Sequence, residues 1–182
     1  MTRRLLVFDD PDRFTAGTVG EPGSRTFFLQ ARKGGEIASV RLEKVQVAAL
    51  AARLDDLLDA AEVARAEADV AAGSADAMPE PLAEPLVELF QVGAMALAWD
   101  AAAGSVVIEA QTPTADGAYV ELPDDAPDGP DVLRVRSMAA EARNFARDAA
   151  ALVDAGRPPC PFCGEPLDPQ GHFCRRGNEQ LN

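Results

Sequence analysis

The chain has 182 residues, 47% of them hydrophobic, so it can bury the core of one main domain with a small appendage. Its formal net charge is -13, and most of it falls on residues 47–156, a region that should repel phosphate backbones. No stretch is apolar for long enough to span a membrane, and the apolar run at residues 5–8 is too short for a signal peptide. We therefore predict a cytoplasmic protein that binds neither nucleic acid nor membrane.

The first third of the chain has the pattern of β-strands. Residues 5–8 form a short apolar run, and residues 26–32 and 37–43 alternate as half-buried strands do. The pair Gly34-Gly35 between them predicts a hairpin turn. Residues 15–24 are rich in glycine, but no helical pattern follows them and they contain no lysine. We interpret them as a loop with a simple turn, and reject a phosphate-binding loop.

From Lys44 onward, the spacing of the apolar residues changes to three and four, which predicts an amphipathic helix. Its expected apolar stripe consists of Val47, Leu50, Leu54, Leu57 and Ala61. The alanine-rich continuation of this helix leads into a stretch with little apolar bulk and several helix breakers. We predict a mobile linker at about residues 66–85.

A long central strand is predicted at residues 87–100, where side chains alternate with period two. A turn at residues 101–104 joins it to a second strand at residues 105–111, so that the two form a hairpin. Residues 112–131 are rich in proline and aspartate and are predicted to be a loop. A last strand is expected at residues 132–136.

A second amphipathic helix should begin after Ser137, as its N-cap, and end at Gly156. Its predicted apolar stripe consists of Met138, Ala142, Phe145, Ala149 and Leu152. Strands joined by short turns, with the helices separate from them, indicate an α+β body over residues 1–156, built on a mostly antiparallel sheet. Residues 157–182 then form a separate zinc-binding tail.

That tail contains all three cysteines and the only histidine of the chain. Cys160 and Cys163 are separated by two residues, so a tight bend can turn both sulfurs to one side. His172 and Cys174 are two positions apart, so in an extended segment they face the same way. The spacing predicts a zinc knuckle in which four protein ligands fill the tetrahedron, so the zinc is structural.

Three other interpretations of the cysteines compete with the zinc site. A redox-active pair normally opens a helix after a strand, but here Pro158 and Pro159 precede the motif and no helical pattern follows. A disulfide would leave one cysteine over and would call for an export signal. The third alternative is that the thiols have no role at all.

Parts of the sequence resemble a known protein family. The resemblance is carried by residues 17–20, 26–32, 95–100, 107–111 and 156–164. These segments are similar to an uncharacterised actinobacterial family, a domain of unknown function that covers nearly the whole chain. In that family the tail usually continues as Cys-Pro-Arg after the histidine, whereas here Cys174 is followed by Arg175. The difference leaves all four predicted ligands in place.

The resemblance implies a genomic setting rather than a reaction. Members of the family are typically encoded near a histidine-phosphatase-like phosphomutase homologue and a kinase-like protein, and have no established activity. The chain could therefore work beside those two neighbours. The resemblance assigns no catalytic residue.

Two classes of function remain open at this point. The first is a zinc-containing accessory or protein-interaction protein, because the single histidine is assigned to the metal and no nucleophile has an obvious partner. The second is an enzyme whose site lies on the sheet, with Glu109 and Asp100 as acid or base and Arg25, Arg134 or Arg136 holding an anion. For each of these five residues, a place on an ordinary strand surface or turn is the competing interpretation. The sequence does not indicate an oligomeric state.

Overall fold

A computed structural model describes residues 2–21, 23–61 and 81–155, together with Cys160, Phe162, Cys163 and Cys174. The described residues form eight strands and two helices. The strands are β1 (Leu5–Asp9), β2 (Arg13–Val19), β3 (Thr26–Lys33), β4 (Glu36–Leu42), β5 (Glu88–Gln91), β6 (Ala94–Asp100), β7 (Ser105–Gln111) and β8 (Val132–Met138), and the helices are α1 (Lys44–Ala60) and α2 (Ala139–Asp154).

The strands are divided between two four-stranded sheets. One sheet has the order β1-β8-β7-β6 and the other the order β2-β3-β4-β5. Pairing is parallel between β1 and β8 and between β4 and β5, and antiparallel elsewhere. The predicted α+β class with mostly antiparallel pairing is confirmed, although the strands build two sheets rather than one.

Strand β2 lies largely within residues 15–24, whose glycine content predicts a loop. Gly17 lies opposite Phe28 in this strand, and a Cβ added to it would come within 2.5 Å of the side chain of Leu82. A glycine in a strand often marks such a close approach. The loop interpretation was therefore wrong over residues 15–19, because this glycine provides space rather than flexibility.

The single long strand predicted at residues 87–100 is also wrong, because the chain changes sheets within it. The backbone N–H of Val92 donates to the carbonyl of Arg41 on β4, at 2.8 Å, and the next N–H, that of Gly93, donates to Gln111 on β7, also at 2.8 Å. Two successive residues thus bond to different sheets. The alternation of side chains continues through this point, which is why period two alone suggested one strand.

Both helices form where they were predicted, with shifts in their buried faces. In α1, Leu58 is fully buried whereas Leu57 is only partly buried. Helix α2 has Met138 as its N-cap rather than Ser137. The hydroxyl of Ser137 donates instead to the side chain of Glu141, at 3.0 Å. Met138, predicted to begin the apolar stripe, is 45% exposed.

One core joins the two sheets and the two helices. The helices pack against each other and each contacts strands of both sheets. On the β2 side, the ring of Phe14 stacks on that of Phe145 from α2, with ring centroids 4.4 Å apart. Arg143 of α2 binds Asp55 at 2.9 Å and Asp59 at 2.7 Å, both on α1.

The predicted linker falls mainly on residues 66–80, which are outside the described residues. Its last part, residues 81–85, is described and contacts the body. There the backbone N–H of Ala83 donates to the side-chain oxygen of Gln30 at 2.7 Å, and the Gln30 amide donates back to the Ala83 carbonyl at 3.0 Å. Among the described helices, none has both the length and the apolar character needed to cross a bilayer.

Candidate metal centre

The three cysteines of the chain lie together. The sulfur atoms of Cys160, Cys163 and Cys174 are all within 4.8 Å of one another, and none of the three forms a disulfide. Cys160 is 4% exposed, and the other two are half-buried. The chain therefore brings Cys174 back to the Cys-x-x-Cys segment, as the sequence spacing predicted.

This arrangement fits a thiophilic metal ion. Zinc–sulfur bonds are about 2.3 Å long, so two sulfurs on one tetrahedral zinc are roughly 3.8 Å apart. The observed limit of 4.8 Å differs from this by about one ångström, which small side-chain rotations can close. Three sulfur donors favour zinc, copper(I) or iron over calcium or magnesium, which take oxygen ligands. The cluster can therefore hold a metal ion.

A turn at Phe162 and Cys163 places the first two sulfurs side by side. The only aromatic side chain in this turn, that of Phe162, is 55% exposed. The turn therefore gains little stabilisation from packing its aromatic ring. Metal coordination is a source of free energy that can hold such a short segment.

The fourth predicted ligand, His172, lies outside the described residues. Its position relative to the three sulfurs therefore stays a prediction. So does the identity of the metal.

The alternative site on the sheet was predicted from Glu109, which lies on β7 opposite Arg134 of β8. Glu109 accepts hydrogen bonds from the Arg134 guanidinium and from the hydroxyl of Tyr119. Arg134 also donates to both carboxylate oxygens of Asp124, at 2.9 and 2.8 Å. These four side chains, Glu109, Tyr119, Asp124 and Arg134, are called the β7–β8 polar cluster below.

The electrostatics of this cluster favour fixed protonation states. Burial of the phenol, followed by its hydrogen bond to Glu109, raises the pKa of Tyr119 above its usual range. Hydrogen bonding to Asp124, supported by that to Glu109, raises the pKa of Arg134. The same guanidinium lowers the pKa of Asp124. A neutral phenol, a cation and paired carboxylates stabilise one another here, an arrangement typical of a structural network.

The other residues of the predicted sheet site have different partners. Asp100 accepts hydrogen bonds from the backbone of Ala102 at 3.0 Å and Ala103 at 3.1 Å, within the β6–β7 turn. Arg136 pairs with Asp9 at 3.2 Å. Arg25 lies over the ring of Phe27, 5.6 Å from its centroid. Of the five predicted residues, the structure therefore joins only Glu109 and Arg134.

Tyr119 and Asp124, the two members of the polar cluster from the long loop, were not predicted from the sequence. Residues 112–131 were predicted only to be a loop, because they are rich in proline and aspartate. The one available signal was its tyrosine, the only one in the chain. A buried phenol usually needs a hydrogen-bond partner, but nothing in the sequence identified Glu109 as that partner.

The fold and the cysteine cluster together define an α+β protein with a C-terminal segment that can bind a metal ion. Residues 6–174 match a family described as protein of unknown function (DUF3090), and the chain belongs to this family. The match reaches the last cysteine of the cluster and confirms the resemblance to a family of unknown function. No curated protein matches the chain, and no solved structure matches it.

Proposed function

We propose that the protein is a zinc-containing accessory protein whose C-terminal knuckle holds one structural zinc ion. The ligands are Cys160, Cys163, His172 and Cys174. The observation that carries this proposal is the grouping of the three sulfurs within 4.8 Å. The histidine spacing supplies a fourth donor, and four protein ligands leave no coordination position for water or substrate.

The accessory role is favoured over a catalytic one because of how the charged groups are paired. On the sheet, Glu109 and Arg134 are engaged with each other and with Tyr119 and Asp124 of the loop. The protein then acts by binding another protein. A site rich in thiolates also suits a reducing compartment, so we place the protein in the cytoplasm, which cell fractionation checks.

Metal analysis tests the zinc assignment. Protein purified without chelator should contain about one zinc per chain by elemental mass spectrometry. Cys163→Ser and His172→Ala should each lower the zinc content, because each removes one of four donors. Phe162→Ala is the matched control, since it changes the exposed residue within the same turn and removes no donor. Full zinc content in both ligand variants would show that the assignment is wrong.

Chelation distinguishes a structural from a catalytic zinc. The core of the body contains strands and helices that supply none of the proposed ligands. We therefore expect a strong chelator to change backbone amide signals after residue 156 and to leave those of the sheets and helices unchanged. Unfolding of the whole chain would contradict a separate knuckle. A metal-bound water found by spectroscopy of the cobalt-substituted protein would favour catalysis instead.

A further inference from the structure

An apolar groove with a volume of about 500 Å³ lies between α1 and β6. Gln46 of α1 lines part of the groove. Its side-chain amide donates to the carbonyls of Val92 at 3.1 Å and Gly93 at 3.4 Å. These hydrogen bonds connect α1 to the two residues that precede β6. Its apolar lining comes from Val45, Ala49, Leu50, Leu57, Met95 and Leu97.

One wall of the groove is a sheet edge. Among the described strands, β6 is the last of its sheet, with β7 on one side and no strand on the other. Natural edge strands are usually blunted by lysine, proline or a bulge. Over its seven residues, β6 contains neither lysine nor proline, and its only charge is Asp100 at the end. Its backbone can therefore accept another strand.

Two features of this edge suit an added strand. Three successive residues of β6, Met95, Ala96 and Leu97, line the groove, so the groove follows the backbone direction. Met95, Leu97 and Trp99 of β6 pack against the core. Three of the residues that alternate with them are alanines, Ala94, Ala96 and Ala98, so bulky groups do not cover the edge there. An extended chain laid along β6 can place alternate side chains in the groove.

The charge at the groove indicates what such a chain carries. Among the described residues that line it, Arg53 is the only one with a charged side chain. This arginine lies on the exposed surface of α1, beside a groove that is otherwise uncharged and mostly apolar. An acidic side chain on the incoming segment is its natural partner.

We propose that this groove binds an extended peptide segment of a partner protein, which adds to β6 as a further strand. Alternate apolar side chains of the segment enter the groove, and an acidic side chain pairs with Arg53. The backbone hydrogen bonds supply affinity, and the groove supplies specificity.

A second copy of this chain is a poorer occupant. Seven residues of strand are about 23 Å long, and strand pairing about 10 Å deep covers only roughly 230 Å². A stable interface needs about 800 Å² from each partner. Each copy also carries a net charge of -13, so two copies repel one another. A short peptide of a larger partner needs no extensive interface, because weak and transient contacts suffice for an accessory protein.

This inference rests on the part of the proposed function that has the protein bind another protein, and it does not depend on the zinc ion. None of the groove residues belongs to the cysteine cluster. If the protein proves to contain no zinc, the peptide proposal is unaffected. If it proves to bind no peptide, the zinc proposal is unaffected. Metal content and peptide binding are separate measurements.

The first experiment is selection of random heptapeptides, displayed on phage, against the full-length protein. We expect enriched sequences that alternate apolar residues and include one aspartate or glutamate. Synthetic copies of these peptides are then titrated into the protein, with the fluorescence of Trp99, the only tryptophan and a β6 residue, as the signal. Failure to enrich any sequence, or enrichment of basic sequences, would overturn the proposal.

Matched variants locate the binding. Arg53→Glu should weaken binding of the acidic peptide about fivefold or more, and Ala49→Trp should abolish it by filling the groove from an exposed position. Two control variants should bind as the parent chain does: Arg147→Glu, with the same change in net charge on α2, and Ala52→Trp, at an exposed α1 position that lines a separate cavity beside α2. Circular dichroism verifies folding of each variant. Equal binding by all four variants would overturn the proposal.

Hydrogen exchange tests the strand addition itself. Peptide binding should slow exchange of backbone amides within Ala94–Asp100, with smaller effects elsewhere. Binding without protection of β6 would contradict the proposal. So would sedimentation that shows a dimer of the parent chain and a monomer of Ala49→Trp, because the groove would then be filled by a second copy.

Discussion

Gly93 lies directly against Pro113: a Cβ built on Gly93 would come within 2.4 Å of the Pro113 Cα and 2.7 Å of its backbone nitrogen. Both of these contacts are to backbone atoms, which cannot rotate aside. The position is also where the chain leaves β5 for β6 and so passes from one sheet to the other. Close packing at this junction therefore requires a residue without a side chain.

Gly93→Ala should destabilise the protein by about 1–3 kcal/mol, because the added methyl group forces the backbone of the 112–131 loop away from the junction. The free energy of unfolding from urea titration measures the effect. Gly35→Ala is the matched control, since a Cβ at Gly35 meets no atom within 4 Å, and its stability should change little. Equal stability of the two variants would contradict the close packing at the junction.

This junction also shows the limit of the sequence pattern. Residues 87–100 alternate without a break, and alternation reports which side chains share a face. It carries no information on which neighbouring strand receives the backbone hydrogen bonds. The switch at Gly93 depends on contacts with residue 41 of one sheet and residue 111 of the other, and such distant partners leave no local signal.

Local patterns predicted other parts of the fold well. The 3.6-residue period located both helices, and Ser105–Gln111 was predicted with its bounds because its alternation is flanked by clear turns. For Gly17 the residue type was misleading, since a glycine can provide space for close packing as well as flexibility in a loop. In α1 the fully buried residue is Leu58 rather than the predicted Leu57, because α1 packs against a second helix. The helical period alone does not indicate on which side of α1 that helix lies.

The candidate metal centre was predictable to the extent that its chemistry is local. Cys160 and Cys163 stand at a spacing that suits one metal ion, and Cys174 is close enough in sequence to return to them. The groove beside β6 was not predictable, because it is formed by Met95 and Leu97 together with α1 residues about forty to fifty positions earlier. Only the tertiary structure reveals such a site.

The titration of Tyr119 should report on the polar cluster. As this is the only tyrosine of the chain, absorbance of the phenolate near 295 nm follows it without interference from others. Burial and the Glu109 carboxylate raise its pKa, so the midpoint should lie above 10, the value of an ordinary tyrosine. Glu109→Gln should move the midpoint back toward 10, because it removes the negative charge and leaves a neutral side chain.

The raised pKa also predicts a pH dependence of stability. A group whose folded pKa exceeds its unfolded value contributes stability fully below the unfolded pKa, and this contribution is lost as pH rises toward the folded pKa. The parent chain should therefore lose stability relative to Tyr119→Phe as pH is raised above about 10. Urea titrations of both proteins at pH 8 and pH 11 provide the comparison. A constant difference between them would be evidence that Tyr119 titrates normally.

The ion pairs between the helices give a further prediction. Arg143 binds Asp55 and Asp59 across the α1–α2 interface, but these two carboxylates are about half exposed, so water screens the attraction. Arg143→Ala should therefore cost only about 0.5–1 kcal/mol. Arg147→Ala, which removes a pair with the adjacent Asp148, should cost less. High salt should reduce the difference between the two variants, and a salt-independent difference would point to packing instead.

The parallel pairing of β1 with β8 has a consequence for synthesis of the chain. Leu5 pairs with Val132, so β1 emerges from the ribosome long before its partner exists. At about 5–20 residues per second the delay is roughly 6–25 s. Meanwhile β2, β3 and β4 can pair with their immediate neighbours. We therefore expect protease to cut ribosome-bound chains stalled before residue 132 at β1, and to spare this strand once β8 has emerged.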